Sequence, residues 1–374
     1  MQRLAAVLLG CLMALTVVEA SVRVFAPSPP LLYWPDASLG WVHPPHLACT
    51  YPGRNGPTAV QFNSRGLRDA ERATEKPPGV FRVLVLGDSY AEGVDVEQAQ
   101  TFAAHLERLL RASGRPAEVI NTGVGGYGTD QEYMYLTREG WGYAPDLVLL
   151  AFTVGNDVHD NLMKGYCRST ATGVVCVPPG RGRLRRIVVS AKAFLQRHLH
   201  SYFFIRQKTA QCYPVRRLLS GLGLTEFQDS DDVRNVLPVD LRMLLRDAPP
   251  DLDRGWQLTT AILAGMRQDA AAHGARLAIA VIPEEFQVAD AQLQPALRRY
   301  GLDPSQLDLG RPTRMLQMFG SAHGVPVVDL LPVFRAAVSR GGRLSNGHWN
   351  AAGHLLAAET IYRELAMAGL FGRK

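Results

Sequence analysis

The chain has 374 residues, 47% hydrophobic, 20% charged and 8% aromatic, enough apolar material for a packed core, so an intrinsically disordered chain is excluded. The length exceeds one average domain, but an α/β core with insertions absorbs it. The formal charge of +6 comes with no nucleic-acid recognition motif and no repeat at a fixed period, so nucleic acid is not an expected partner and a solenoid is not an expected fold.

Arg3 precedes an apolar stretch from Leu4 to Val18, and Val18-Glu-Ala20 is an acceptable small-residue site for cleavage before Ser21. Residues 1–26 therefore read either as an export signal or as an uncleaved N-terminal membrane anchor. The uninterrupted run falls short of the ~20 residues that span a bilayer. Leu8-Leu-Gly-Cys11 looks like a lipoprotein box, but the apolar stretch continues past Cys11, which argues against lipidation. In either case the body of the protein is expected outside the cytoplasm, in the periplasm or an equivalent compartment. Residues 27–78 carry ten of the 24 prolines and are expected to form an extended, largely irregular arm.

Phe81 to Leu86 is a nearly continuous apolar run, the pattern of a strand buried on both faces. It stops on Gly87, where a sharp turn is expected because glycine adopts backbone angles that other residues avoid. Ser89 then stands at the carboxyl end of a strand, where open α/β sheets place their chemistry. A helix is predicted through Phe102, Leu106, Leu109 and Leu110. A lone Gly-Asp-Ser would be an ordinary strand-to-turn junction, and three later blocks change that reading.

The second block, Val119-Ile-Asn-Thr-Gly-Val-Gly-Gly-Tyr-Gly128, is a short strand running into a loop with four glycines in six residues. Backbone can approach a ligand closely there, and no Lys-Ser/Thr follows to make it a phosphate loop. The third, Asp146 to Asp157, is an apolar strand ending on Gly155-Asn-Asp157. Asn156 offers an amide donor for an oxyanion, and Asp157 a cap for the next segment.

Residues 160–250 interrupt the alternation of strands and helices and read as an insertion. Cys167 and Cys176 flank two short arms about Thr172-Gly173, a local hairpin whose bridge is the natural pairing in an oxidising compartment, with Cys49 and Cys212 as the remainder. No metal-ligand spacing occurs among the cysteines, and no cofactor is expected. Arg181-Gly-Arg-Leu-Arg-Arg186, followed by an apolar-aromatic pattern through Phe194, Leu199, Phe203, Phe204 and Ile205, is either a solvated helix packed on the domain or a stretch resting on an anionic membrane surface.

The core resumes with a helix over Trp256–Ala272 and a strand over Ala275–Ile282, which ends at Glu284 and Glu285 near the presumed cleft. Those carboxylates are candidates for substrate contact, although no second block supports a glycosidase pair. A fifth strand is expected at Val325–Val328. The fourth block, Ser345-Asn-Gly-His-Trp-Asn-Ala-Ala-Gly-His354, precedes a helical pattern for which Asn350 is a reasonable N-cap, and makes His348 a general-base candidate.

Taken in order, Gly87-Asp-Ser89, Asn121 to Gly126, Gly155-Asn-Asp157 and His348-Trp349 resemble the four blocks of the SGNH (GDSL-type) hydrolase family over roughly residues 80 to 365. The resemblance implies a three-layer α/β/α fold, with a five-stranded parallel sheet of order 2-1-3-4-5 across residues 79–374. It implies Ser89 as nucleophile, the backbone N–H groups of Ser89 and Gly126 with the Asn156 side chain as oxyanion hole, and His348 as base. Ala91 stands where the Gly-x-Ser-x-Gly elbow of α/β-hydrolases has its second glycine. The segment Asn63-Ser-Arg-Gly-Leu-Arg-Asp69 is similar to one common upstream of the catalytic serine in membrane-anchored members. Its Arg65 and Arg68 are expected in surface ion pairs or clasping an anionic group.

One departure bears on rate. The acid that this family places two or three residues before the histidine is replaced by Asn346 and Ser345. An amide can orient an imidazole but supplies no charge, so slow turnover is expected unless an acid comes from elsewhere, with Asp329 a candidate. The function implied is a serine esterase acting on small-molecule or glycan acyl esters. An O-acyltransferase with the same residues and a non-catalytic glycan-binding protein are the alternatives.

Overall fold

The computed structural model describes residues 2–26, 31–171, 173–178, 182–211 and 237–371. Contacts divide the chain into two units, Met1–Pro44 with Pro178–Val236, and Pro45–Val177 with Leu237–Lys374. The expected proline-rich arm is divided at this boundary, and it is less irregular than its prolines suggest. It contains one antiparallel hairpin in the first unit, β1 (Trp34–Asp36) with β2 (Gly40–Val42), and one in the second, β3 (Ala48–Gly53) with β4 (Gly56–Gln61).

In the first unit the helix Gln2–Phe25 runs through the expected processing site. The Glu19 carboxylate accepts hydrogen bonds from the N–H groups of His200 and Ser201, both 2.9 Å, and so caps the helix His200–Gln211. The basic stretch forms the helix Arg183–His198, which ends where Leu199 turns extended, so the apolar-aromatic pattern is carried by two helices rather than one. Among the described residues no helix is long and apolar enough to cross a membrane. Leu12, Leu15 and Phe25 on the first helix and Ile187, Val188 and Phe194 on the basic one are exposed.

The second unit is built on β5 (Phe81–Gly87), β6 (Ala117–Asn121) and β7 (Leu147–Thr153), followed by the hairpin β8 (Cys167–Thr170) and β9 (Gly173–Cys176), then β10 (Arg276–Ile282) and β11 (Val327–Asp329). Five of these strands form one sheet in the order β6-β5-β7-β10-β11, every neighbour parallel, which is the expected 2-1-3-4-5 arrangement. All seven residues of β7 are buried, as both faces of a parallel sheet covered by helices require. On one face Val83, Val85, Leu147 and Leu149 pack with Leu106 and Leu110 of the helix Phe102–Ala112, Phe334 of Leu331–Ser339 and Ile361 of Ala351–Met367. The other face meets the helices Thr129–Arg138 and Pro250–Ala272. Each buried leucine contributes roughly 1.5–3 kcal/mol.

The apolar run of β5 contains a charge at full burial. Arg82 is 0% exposed, pairs with Glu118 of β6 at 2.6 Å, and donates to the carbonyls of Thr74 and Tyr143, so every strong donor direction is used. This pins the end of the proline-rich arm to the sheet.

Cys167 and Cys176 are joined by a disulfide across the paired ends of the β8–β9 hairpin, as expected. Thr172 and Cys212 lie outside the described residues, and Cys49 is half-buried and free among the described ones.

Candidate active site

The four blocks arrive at the carboxyl ends of the parallel strands. β5 ends at Gly87, and Asp88 caps the short helix Ser89–Glu92 by accepting from the Tyr90 N–H at 2.9 Å. Gly87 is needed for space rather than for the special backbone angles expected of it. A Cβ there would stand 2.7 Å from that of Ala91, and φ is not positive. Gly123 of the glycine loop is constrained in the same way, because a Cβ would meet the Glu92 N at 2.5 Å. The glycine loop therefore lies directly against the helix that begins with Ser89. Burial raises the Asp88 carboxyl to about 6, against the hydrogen bonds from Tyr90 and Asn156 that favour its charge.

Asn156 stands at the N-cap position of the helix Asp157–Lys164 but makes no capping bond. Its Nδ2 donates to Asp88 Oδ2 at 3.2 Å and lies 3.5 Å from Asp160 Oδ2. Asp157, expected as a cap, instead turns inward and accepts from the Thr153 N–H at 2.8 Å. Lys164 ties the same helix to the glycine loop, with Nζ 3.0 Å from Asp160 and 2.6 Å from the Gly126 carbonyl oxygen. Ser89, Asn156 and Gly126 are thus joined through Asp88, Asp160 and Lys164. The sequence reading missed both Asp160 and Lys164, since an i,i+4 pair on a helix carries no catalytic signature.

His348 lies in a tight turn closed by a bridge between Ser345 and Trp349, with Asn346 N–H donating to the His348 carbonyl at 2.9 Å. Asn350 caps the next helix as expected, accepting from the N–H groups of Ala352 and Gly353. Trp349 is 3% exposed and packs against Phe334 and Tyr90, with ring centroids 5.0 and 5.1 Å away, so the turn is anchored by a buried indole. The imidazole rests on the Tyr90 ring at 4.9 Å, and its Nε2 is 2.8 Å from Ser89 Oγ. Burial, then Arg54, hold the imidazole below its ordinary value, against the pull of Asp95, Glu92 and Glu285. It is therefore neutral near pH 7, the state a general base needs.

Asn346 is not brought to the ring. Its Nδ2 donates 3.0 Å to the Arg54 carbonyl on the hairpin turn between β3 and β4, a backbone acceptor that competes for the amide. His348 Nδ1 faces Asp95 Oδ2 at 3.9 Å. Asp329 is also elsewhere, accepting from the Leu331 N–H at the start of a helix. Of the two strand-end glutamates, Glu285 accepts from the Gly347 N–H at 2.8 Å and so holds the histidine turn, while Glu284 caps its own helix with Gln287. Burial and then Asp240 raise the Glu284 carboxyl to about 8.

Arg68 overturns its surface reading. It is 1% exposed and donates to the carbonyls of Glu92, Gly93 and Val96. Arg65 lies over the Tyr143 ring at 5.6 Å.

A family model for the GDSL-like lipase/acylhydrolase family matches residues 85–356, from β5 into the last helix. The chain belongs to that family. The hydrolase, which acts on ester bonds, matches no curated protein. Among solved structures it is similar to the acetyl xylan esterase AlAXEase, at 14% identity over 76% of this chain and 98% of that one, with a TM-score of 0.40. A putative lipolytic protein of the G-D-S-L family from Desulfitobacterium hafniense DCB-2 aligns at 12% identity over 76% and 99%, with a TM-score of 0.38. A catalytic mutant of an acetylxylan esterase from Geobacillus stearothermophilus aligns at 11% identity over 76% and 94%, with a TM-score of 0.39.

Proposed function

We propose that the hydrolase cleaves small acyl esters, acetyl esters of cell-envelope glycans above all, through an acyl-Ser89 intermediate. The observation that carries this reading is the 2.8 Å contact between Ser89 Oγ and His348 Nε2 at the carboxyl end of the sheet. His348 takes the hydroxyl proton as Oγ attacks the ester carbon. The carbonyl oxygen becomes an oxyanion held by the N–H groups of Ser89 and Gly126 and by Asn156 Nδ2, and His348 then protonates the departing alkoxide. Water on the acyl-enzyme completes the cycle. A sugar hydroxyl in its place would make the same residues an O-acyltransferase.

The substrate lies outside the cytoplasm in this reading. The Cys167–Cys176 disulfide supports an oxidising compartment, and the exposed apolar residues of the N-terminal helix support membrane association of the first unit.

A fluorophosphonate probe should label wild-type protein at Ser89, and Ser89→Ala should lose both the label and at least about 10³-fold of aryl-acetate hydrolysis while keeping its melting temperature. Undiminished hydrolysis by that variant would remove Ser89 from the mechanism. Product analysis with acetylated xylo- and amino-sugar oligosaccharides, with and without free glycan, then separates hydrolysis from transfer.

A further inference from the structure

The inference that follows rests on the reading of Ser89 and His348 as nucleophile and base. An imidazole that receives the serine proton at Nε2 carries its own proton on Nδ1. In His348 that nitrogen is buried and has no hydrogen-bond partner. The carboxylate facing it belongs to Asp95, whose side chain is 7% exposed and whose Oδ2 is 3.9 Å away. The other oxygen, Oδ1, is occupied by the Arg54 N–H at 2.7 Å, so Oδ2 is the one left with capacity toward the ring. A separation of 3.9 Å is that of an ion pair rather than a hydrogen bond, and such contacts shorten once substrate dries the site and positive charge forms on the ring.

Asp95 sits on the irregular connection between the helix Ser89–Glu92 and the short turn Gln98–Gln100, where no ladder fixes the backbone. Arg68 supplies that constraint. Its Nη1 donates to the Glu92 carbonyl at 3.0 Å and to that of Gly93, and Nη2 donates to that of Val96, so the acceptors bracket Asp95 on both sides. Arg68 is in turn presented by a loop that Asn63 closes, with Oδ1 accepting from the N–H groups of Arg65 and Leu67 and Nδ2 donating to the Ala70 carbonyl. A planar fork meets several carbonyls at once, which a lysine ammonium cannot do in the same geometry.

We propose that Asp95 is the carboxylate that orients His348 and stabilises its imidazolium, and that Arg68 is the residue that positions Asp95. As the bond from Oγ to the acyl carbon forms, the Oγ proton moves to Nε2 and the ring becomes cationic. Asp95 stays ionised opposite Nδ1–H, and the same Nε2 proton leaves on the alkoxide when its carbon–oxygen bond breaks. The charge that Asn346 lacks thus comes from the serine side of the cleft, six residues past the nucleophile.

The test uses the full chain, an aryl acetate, and the labelling rate of the fluorophosphonate probe. The charged and titratable groups facing His348 are Arg54, Asp95, Glu92, Glu285 and Tyr90, with His354 behind Trp349. Asp95→Asn keeps an acceptor for the Arg54 N–H but removes one of the three carboxylates that favour the imidazolium. It should lower kcat by about 10²–10⁴-fold with KM within about threefold, and move the acid limb of kcat/KM to lower pH. Asp95→Glu, which keeps the charge, should restore part of the loss and return the limb. Arg68→Lys should lower kcat by about tenfold, and in the Asp95→Asn background it should cost nothing further, because the two residues act as a unit. If Arg68→Lys fails to fold, the two Asp95 variants decide alone. A wild-type labelling rate and an unmoved acid limb in Asp95→Asn would overturn the proposal and leave the hydrolase reading standing. Absence of labelling in the wild-type protein would instead remove that reading itself.

Discussion

Ser89 leaves the end of β5, a strand hydrogen-bonded on both sides by β6 and β7 and buried over its last six residues, whereas His348 sits in a turn closed by the Ser345–Trp349 bridge and by the Asn350 N–H on the Leu344 carbonyl. The serine side inherits its geometry from the sheet: Asp88 caps the turn, the glycine loop abuts it, and Asn156 reaches Asp88 from the end of β7. The histidine side is assembled from side chains of separate segments, with Glu285 on the Gly347 N–H, Tyr90 under the ring and Phe334 against Trp349. A sheet end tolerates changes around it because its strand is already fixed. A turn made by tertiary contacts is held by several of them together.

Beyond Ser89 and Asp95, a large effect is expected where the serine side meets the oxyanion. Asn156→Ala removes a side-chain donor and should lower kcat by about 10²–10³-fold with little change in KM, the usual cost of losing one such donor. A loss below tenfold would mean that the serine side stabilises the oxyanion through backbone N–H groups alone, and would break the contrast drawn here.

A smaller effect tests how rigid the serine side is. Lys164→Met deletes the bond to the Gly126 carbonyl and the pair with Asp160, while a methionine still covers the apolar part of the site. If Lys164 fixes the Gly126 peptide, kcat should fall by about tenfold, more than any loss of melting temperature from this partly buried pair accounts for. Unchanged kcat would place the loop's order in its glycine packing against Ala91 and Glu92.

The same contrast explains what was legible in the sequence. The five strands could be read because a doubly covered strand writes itself as a continuous apolar run, whereas their order and the roles on the serine side came from the resemblance of the ordered blocks. His348 was legible only through the ordered set of blocks. Asp95, Glu285 and Arg68 were not, because each acts across the fold on backbone or ring atoms distant in sequence, and no local period or spacing records that. Arg68 was noticed and misread: an arginine among polar residues suggests surface, whereas three converging carbonyls make a buried site for it. Arg82 hides in the same way inside β5, where its burial is supported by Glu118.

The smallest effect is expected at Asn346, and it separates the two sides most sharply. Sequence spacing alone makes Asn346→Asp a gain of charge at the orienting position, worth tenfold or more in turnover. In the structure the Asn346 amide donates to the Arg54 carbonyl. A carboxylate cannot donate there and would be repelled by that carbonyl, while the neighbouring Arg54 guanidinium would offset part of the cost. Turnover should therefore stay within about threefold of wild type, with at most ~1 kcal/mol of stability lost with the hydrogen bond. A tenfold rise would show that the turn can refold to bring residue 346 to Nδ1. The histidine side would then be adaptable, and the carboxylate of Asp95 would be replaceable by one supplied from the turn itself.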